Sequence, residues 1–287
     1  MRERAIVPFA FLALALIGLA VFRVVPIFIA GVGSLFSVSL MGDRVFVGLG
    51  NHLSLFADPG FWQSLRVTLI FNLLINPIQV VLAFILAMLV FRPSPGIVFF
   101  RTAFFMPMTF SIALTAVLWS ILLDPSLGLV NSILAELGFE RQPFFRSQNQ
   151  ALGTMIFIAT WKGVGYWMLF LLAGLNGIPK DVYEAAALDG ALGWRRFVNI
   201  TLPLMRRPLV FVLVADTAIN FLFFAPVYII TNGGPSEATN LLMFQAYQSA
   251  FAYLNMGRSL AISTIILLVI AIFAVIEFRF FRERKDV

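Results

Sequence analysis

The chain reads as an all-α membrane protein of about six transmembrane helices with both termini in the cytoplasm. Three observations predict this. Of its 287 residues, 61% are hydrophobic and only 12% charged, with a mean hydropathy of +0.96, whereas a soluble domain has about a quarter of its residues charged. Apolar runs of roughly 20 residues, enough to cross a bilayer core about 30 Å thick, recur from one end to the other. The basic residues behind the net charge of +6 gather at the ends of those runs, not along a polar face interleaved with aromatics. They are therefore topology signals, and nucleic acid is not an expected partner.

The spans expected from these runs are Ile6–Ile29, Trp62–Val90, Phe99–Leu122, Leu152–Leu175, Leu209–Ile230 and Ser259–Phe280. "MRER" ahead of the first run resembles the start of a signal peptide. The run from Ala5 to about Val25 is too long for a signal core and has no small-residue cleavage site, so it is expected to be retained. Gly, Pro, Asn and Asp punctuate every connection, as in "FRPSPG" and "TNGGPSEATN". This gives one transmembrane domain over 1–287, with a core at 62–280, a cytoplasmic loop at 176–207 and an outer loop at 231–257. With both termini inside, the cytoplasmic face collects Arg92, Arg101, Lys180, Arg195, Arg196, Arg206 and Arg207 besides the terminal clusters. The outer face has Arg44, Arg66, Arg141, Arg146 and Arg258, with Arg23 near its edge.

Much catalytic chemistry is excluded. There is no cysteine and a single histidine, His52, so disulfides, thiolate zinc sites and a cysteine nucleophile are ruled out, and no metal site is expected. A phosphate-binding G-x-x-x-x-G-K-[ST] loop is absent; Gly233-Gly234-Pro235 lacks the lysine and reads as a turn. The chain is therefore expected to bind no cofactor. A membrane-embedded transferase or hydrolase is one alternative, but Asp216 and Glu277 are far apart in sequence and no acid–base constellation is visible. An ion-coupled secondary carrier is another, though neither inverted halves nor paired broken helices with ion ligands are evident.

The loop "DVYEAAALDGALGWRRFVNITLP", Asp181–Pro203, is the most punctuated part of the chain. Asp181 and Glu184 have the spacing of a capping box. "YEAAALD" continues a helix, Gly190 suits the position after its end, and a second short helix is expected to run until Pro203 stops it. On residues alone the favoured reading is a connector on the membrane surface, with Trp194 and Phe197 in the headgroups and Arg195 and Arg196 on phosphates.

Glu184-Ala185-Ala186, Gly190, Ile200, Leu202 and Pro203 reproduce at matching spacing the EAA signature, and the chain resembles the integral membrane permease subunits of binding-protein-dependent ABC importers. The resemblance extends over nearly the whole chain. "VGLGNHLSLFADPGFWQSLRVTLIF", "RTAFFMPMTFSIALTAVLWSILLDPSLGLVN" and "TNGGPSEATNLLMFQAYQSAF" are similar to the carbohydrate-uptake branch, of maltose and sn-glycerol-3-phosphate type, and to its first permease subunit. Additional amino-terminal spans or a large outer domain, of the kind some members carry, are not expected.

The resemblance implies a type I importer permease fold in a bacterial or archaeal cytoplasmic membrane, paired with a second homologous permease as a heterodimer. It implies a cytoplasmic ATPase dimer, which uses ATP and Mg, an extracytoplasmic solute-binding protein, and contact with membrane lipid. The coupling helix would run from Asp181 to Asp189, with Asp181, Tyr183, Glu184, Ala185, Ala186, Asp189 and Gly190 as its ATPase-facing set.

Polar groups inside spans are candidates to line a path for a small sugar-like solute or to hold helices together. Thr68, Asn72, Asn76 and Gln79 share roughly one helical face. "WKGVGYW" carries Lys162 beside Gly163 and Gly165, glycines expected to open room next to Tyr166; Asp216, Thr217 and Asn220 follow in span five. The resemblance places Gly163, Tyr166, Asp216 and Asn220 at sugar-contacting positions of the maltose-type permease, although Asp216 replaces a hydroxyl residue and Phe223 an amide. Lys162 is expected either to pair with Asp216 or to meet an anionic substrate.

Overall fold

The computed structural model describes residues 12–38 and 43–280. The expected start of the first span at Ile6, the "MRER" opening and the terminal cations Arg282, Arg284 and Lys285 lie outside the described residues. The chain divides into two compact units, Met1–Trp62 with Leu242–Val269, and Gln63–Leu241 with Ile270–Val287.

The first unit opens with α1, Leu12–Gly33, an apolar helix with no buried residue in its most hydrophobic window. A short antiparallel hairpin follows, β1 (Phe36–Val38) against β2 (Arg44–Phe46), with Phe36 opposite Phe46. After it comes α2, Gly50–Phe56. Asn51 ties hairpin to helix by donating to the carbonyls of Ser34 at 2.8 Å and Phe36 at 3.0 Å. The unit also holds the first turn of α3 (Pro59–Phe91). Asp58, just ahead of it, accepts from the Gly60 amide at 2.9 Å and pairs with Arg258.

The second unit carries the rest of α3, then α4 (Ile97–Thr109), α5 (Ile112–Leu122), α6 (Leu129–Glu136) and α7 (Ala151–Asn176). It continues with α8 (Lys180–Leu188), α9 (Gly193–Leu204) and α10 (Arg206–Phe221). Its core contains Ala83, Ala87, Trp167, Met168, Leu171, Leu175 and Val212, all buried. Small residues let the helices close: a Cβ at Gly165 would overlap the Phe104 carbonyl, and one at Gly163 would overlap the Gln79 side-chain amide. The space expected beside Tyr166 is therefore already filled.

Among the described residues four helices, α1, α3, α7 and the terminal helix, are long and apolar enough to cross a membrane, and two bent pairs bring the possible crossings to six. The first bend corrects the sequence reading. The expected span Phe99–Leu122 is broken by 98° between α4 and α5. Pro107 cannot donate within α4, and Ser111, in extended conformation, starts a new helix by accepting from the Leu114 amide at 3.1 Å.

The second loop helix ends at Leu204, one residue past Pro203. The helical path runs through a wide turn at Phe197–Thr201 to Leu204 and bends by 63° into α10 at Met205, where Pro208 cannot donate to the Leu204 carbonyl. Span five, expected to reach Ile230, leaves the helix at Leu222, and Pro226 reopens a short helical turn ending at Thr231. The expected outer loop 231–257 holds α11, Leu242–Tyr247, and a wide turn at Gln248–Ala252, before α12, Met256–Phe280.

Candidate functional site

The EAA segment folds as α8. Pro179, with extended ψ of 141°, occupies the N-cap position without a side-chain cap bond, and Asp181 lies two residues on, within the first turn. The expected capping box is therefore not formed; Asp181 instead places negative charge near the helix's amino-terminal dipole. The other end follows the sequence reading closely. Gly190 has φ of +73°; its amide donates to the Ala187 carbonyl at 3.1 Å, and the Ala191 amide reaches back to Ala186 at 2.8 Å. This is a Schellman closure, with glycine in the left-handed position it requires.

Only part of α8 is held by its own chain. Ala186 is buried, and Tyr183 is half-buried beneath the Arg196 guanidinium, 5.6 Å from the ring centroid, with its hydroxyl 3.4 Å from Thr201 Oγ1. Glu184, Ala185, Ala187, Asp189 and Gly190 are exposed, and Leu188 is 90% exposed. A nine-residue helix is marginal by itself. One with an apolar tip and a small-residue face turned outward presents a knob for another surface.

The intramembrane polar residues converge differently from the expected solute lining. Asn72, Asn76, Asp216 and Asn220 are all buried. Asn76 donates to Thr217 Oγ1 at 2.8 Å and accepts from Asn220 at 2.8 Å. Thr217 donates onward to Glu277 Oε1 at 2.8 Å, while the Trp167 indole donates to Asp216 Oδ1 at 2.6 Å. Asn72 turns to its own helix, donating to the Thr68 carbonyl at 2.9 Å. Among the described residues, Asn72 Oδ1 and Gln79 Oε1 are buried acceptors without a donor. Tyr166 is half-buried, its ring 4.8 Å from that of Trp167 and 5.0 Å from that of Phe170.

Lys162 does not pair with Asp216. Its ammonium sits at the α4–α5 break, donating to the carbonyls of Phe110 at 2.5 Å and of Pro107 and Met108 at 3.4 Å. A helix end has carbonyls without intrahelical donors, and a cation there satisfies them and suits the dipole. Sequence reasoning missed this arrangement because the break was not expected. It also missed Trp167 as the donor to Asp216, although the indole stands in the quoted "WKGVGYW", and Glu277 as a member of the cluster.

The model of the family described as "binding-protein-dependent transport system inner membrane component" matches residues 77–285. The chain belongs to this family. It is 36% identical over 240 residues to the sn-glycerol-3-phosphate transport system permease protein UgpA of Agrobacterium fabrum, covering 83% of this chain and 82% of that one. It is 34% identical to the probable ABC transporter permease protein YurN of Bacillus subtilis, covering 99% of both. A chain of the bacterial alginate ABC transporter, solved in complex with its alginate pentasaccharide-bound periplasmic protein, superposes with a TM-score of 0.77 at 20% identity, over 97% of this chain and 93% of that one.

The fold is thus that of a type I importer permease. As such a permease the chain is a multi-pass inner-membrane transporter subunit and not an enzyme, and its family works with a binding protein, an ATPase and a second permease.

Proposed function

We infer that the permease is one half of a heterodimeric importer for a sugar or related polyhydroxy solute, driven by a separate cytoplasmic ATPase dimer through α8. The observation that carries the coupling role is the shape of α8: closed at Gly190, anchored through Ala186 and Tyr183, and exposed elsewhere. When the ATPase dimer closes on ATP, a helix seated in its groove transmits rigid-body motion to α7 and α10, which flank the loop, and access to a central path alternates. The orientation puts both termini and 176–207 in the cytoplasm and 231–257 outside, as the excess of cations on the coupling-loop side supports. The whole chain serves as a single transmembrane permease domain.

The solute class rests on chemistry. The polar residues beside α7 and α10 supply acceptors in excess: Asn72 Oδ1 and Gln79 Oε1 have no donor among the described residues, and hydroxyl groups would supply one. Tyr166 offers an aromatic face for sugar C–H groups. Gly163, Asp216, Asn220, Asn72 and Asn76 then belong to helix surfaces that part as the path opens. The similarity to sn-glycerol-3-phosphate permeases supports a second reading, a phosphorylated polyol. Against it stands Lys162, whose ammonium is already engaged by three carbonyls.

The test is reconstitution with a candidate ATPase, second permease and binding protein, and measurement of solute-stimulated ATP hydrolysis across sugars, polyols and glycerol phosphate. Stimulation by neutral polyhydroxy solutes supports the reading; stimulation by glycerol phosphate alone overturns the solute class. Glu184→Lys should lower coupled hydrolysis and uptake together, and full activity in that variant would remove the coupling role.

A further inference from the structure

The carboxyl-terminal half of α3 and the helix α9 enclose two adjoining depressions. One is an apolar groove of about 840 Å³ along Val81, Ile85 and Leu89, floored by Phe84 and Phe197 and flanked by Trp194. The other, about 460 Å³, is lined by Arg92, Arg196, Tyr183 and Thr201. Met88, Arg92, Gly193 and Phe197 border both, so the two form one continuous amphipathic slot. The Phe84 and Phe197 rings lie 6.0 Å apart, with Trp194 5.1 Å from Phe197.

Two features of the slot point to an amphiphile. Its apolar arm lies in a membrane-spanning helix and stays open: Val81, Ile85 and Leu89 are 56%, 48% and 66% exposed. Val81 is eleven residues, about 16 Å of helix rise, below Arg92, too deep for a soluble subunit docked at the membrane surface. Its polar arm has positive charge to spare. Among the described residues neither Arg92 nor Arg196 has a carboxylate within ion-pair reach, and Arg101 joins the same end by donating to the Val90 carbonyl at 2.7 Å. An occupant must put an anionic head at the arginines and a hydrocarbon tail along α3. A second permease span fits the tail but does not explain the charge.

We propose that this slot is a binding site for an anionic phospholipid of the cytoplasmic leaflet, its phosphate held by Arg92 and Arg196 and one acyl chain lying along α3 beneath Trp194. It rests on the orientation given above. Because Arg196 also covers the ring of Tyr183 on α8, the headgroup sits against the coupling helix, and its presence steadies the face on which that helix is carried.

Trp194 makes the site readable. The full chain, purified with its co-expressed partner subunits, is placed in phosphatidylcholine nanodiscs containing a minor fraction of phosphatidylglycerol or phosphatidylcholine brominated in the acyl chain. Fluorescence quenching is measured and the signal of Trp194→Phe is subtracted. The expected result is preferential quenching by the brominated phosphatidylglycerol, with a preference of about fivefold for each guanidinium engaged. It should fall stepwise in Arg92→Gln and Arg92→Gln/Arg196→Gln and survive in Arg146→Gln, far from the slot in sequence. Equal quenching by the two lipids, or a preference unchanged in the double variant, overturns the proposal. So does the absence of Trp194 quenching by either lipid, which would mean that a partner subunit covers the slot.

Discussion

The ammonium of Lys162 lies 2.5 Å from the carbonyl oxygen of Phe110, at the break where α4 turns by 98° into α5. A cation inside a span is costly and needs a partner. Here the partners are carbonyls freed by the break, not the Asp216 carboxylate. Lys162→Met should therefore destabilise the α4–α5 corner by about 1.5–3 kcal/mol, the range for hydrogen bonds to a charged group. Adding Asp216→Asn should give no recovery of uptake, and the two changes should be additive in thermal unfolding to within about 0.5 kcal/mol. Rescue by the double variant would re-establish the charge pair.

Asn76, Thr217 and Glu277 form a relay of hydrogen bonds across three helices, with Asn220 feeding in from the side. Thr217→Val removes an acceptor and a donor at once, leaving the Asn76 amide and the Glu277 carboxyl short of partners. A loss of about 1–3 kcal/mol is expected. Thr217→Val combined with Asn76→Ala should cost clearly less than the sum of the single changes, because they break the same bond. Thermal unfolding in one detergent checks this, and strict additivity would show that the relay is not a cooperative unit.

Outside the spans, Asp58 gives a pH signature. Burial raises its carboxyl, but the Arg258 hydrogen bond, the Gly60 amide and the Arg258 charge outweigh that and hold it below its ordinary 3.8. Because the folded value is depressed, the stabilisation is present above 3.8, the unfolded value, and is lost as pH falls through the folded one. Acid unfolding should show this loss in the native chain and not in Asp58→Asn. An identical acid profile in the two would remove Asp58–Arg258 from the account.

What could be read in the sequence was local. The glycine that ends α8, the apolar lengths of α3 and α7, and the polar face of α3 all follow from neighbours within a turn or two. The 98° break at Phe110 was hidden because Pro107 and Ser111 sit in an unbroken apolar run, and hydropathy does not register a missing amide. The partner of Lys162 depended on that break, so it was hidden too. Thr217 and Asn220 were legible as polar groups, but their bonds to Asn76, over 140 positions away in sequence, are set by helix packing. The expected cap at Asp181 failed for a smaller reason: Pro179 begins the helix two residues earlier.

Gly190 offers the sharpest test of the coupling loop. A Cβ there would meet nothing within 4 Å, so the only obstacle to a side chain is the backbone, at φ +73°. Gly190→Ala should cost about 1–2 kcal/mol at the Schellman turn, the penalty of the left-handed conformation. Gly190→Asn should cost less, because asparagine visits that region more readily. With the turn loosened, α8 would no longer be held at a fixed angle by Ala186 and Tyr183, and under the proposed coupling role part of the ATPase stroke would be lost before it reached the spans. In the reconstituted importer, the ratio of solute uptake to ATP hydrolysis should therefore rank glycine above asparagine above alanine, with assembly of the complex unchanged. Equal ratios for alanine and glycine would show that the angle of this helix does not transmit the motion.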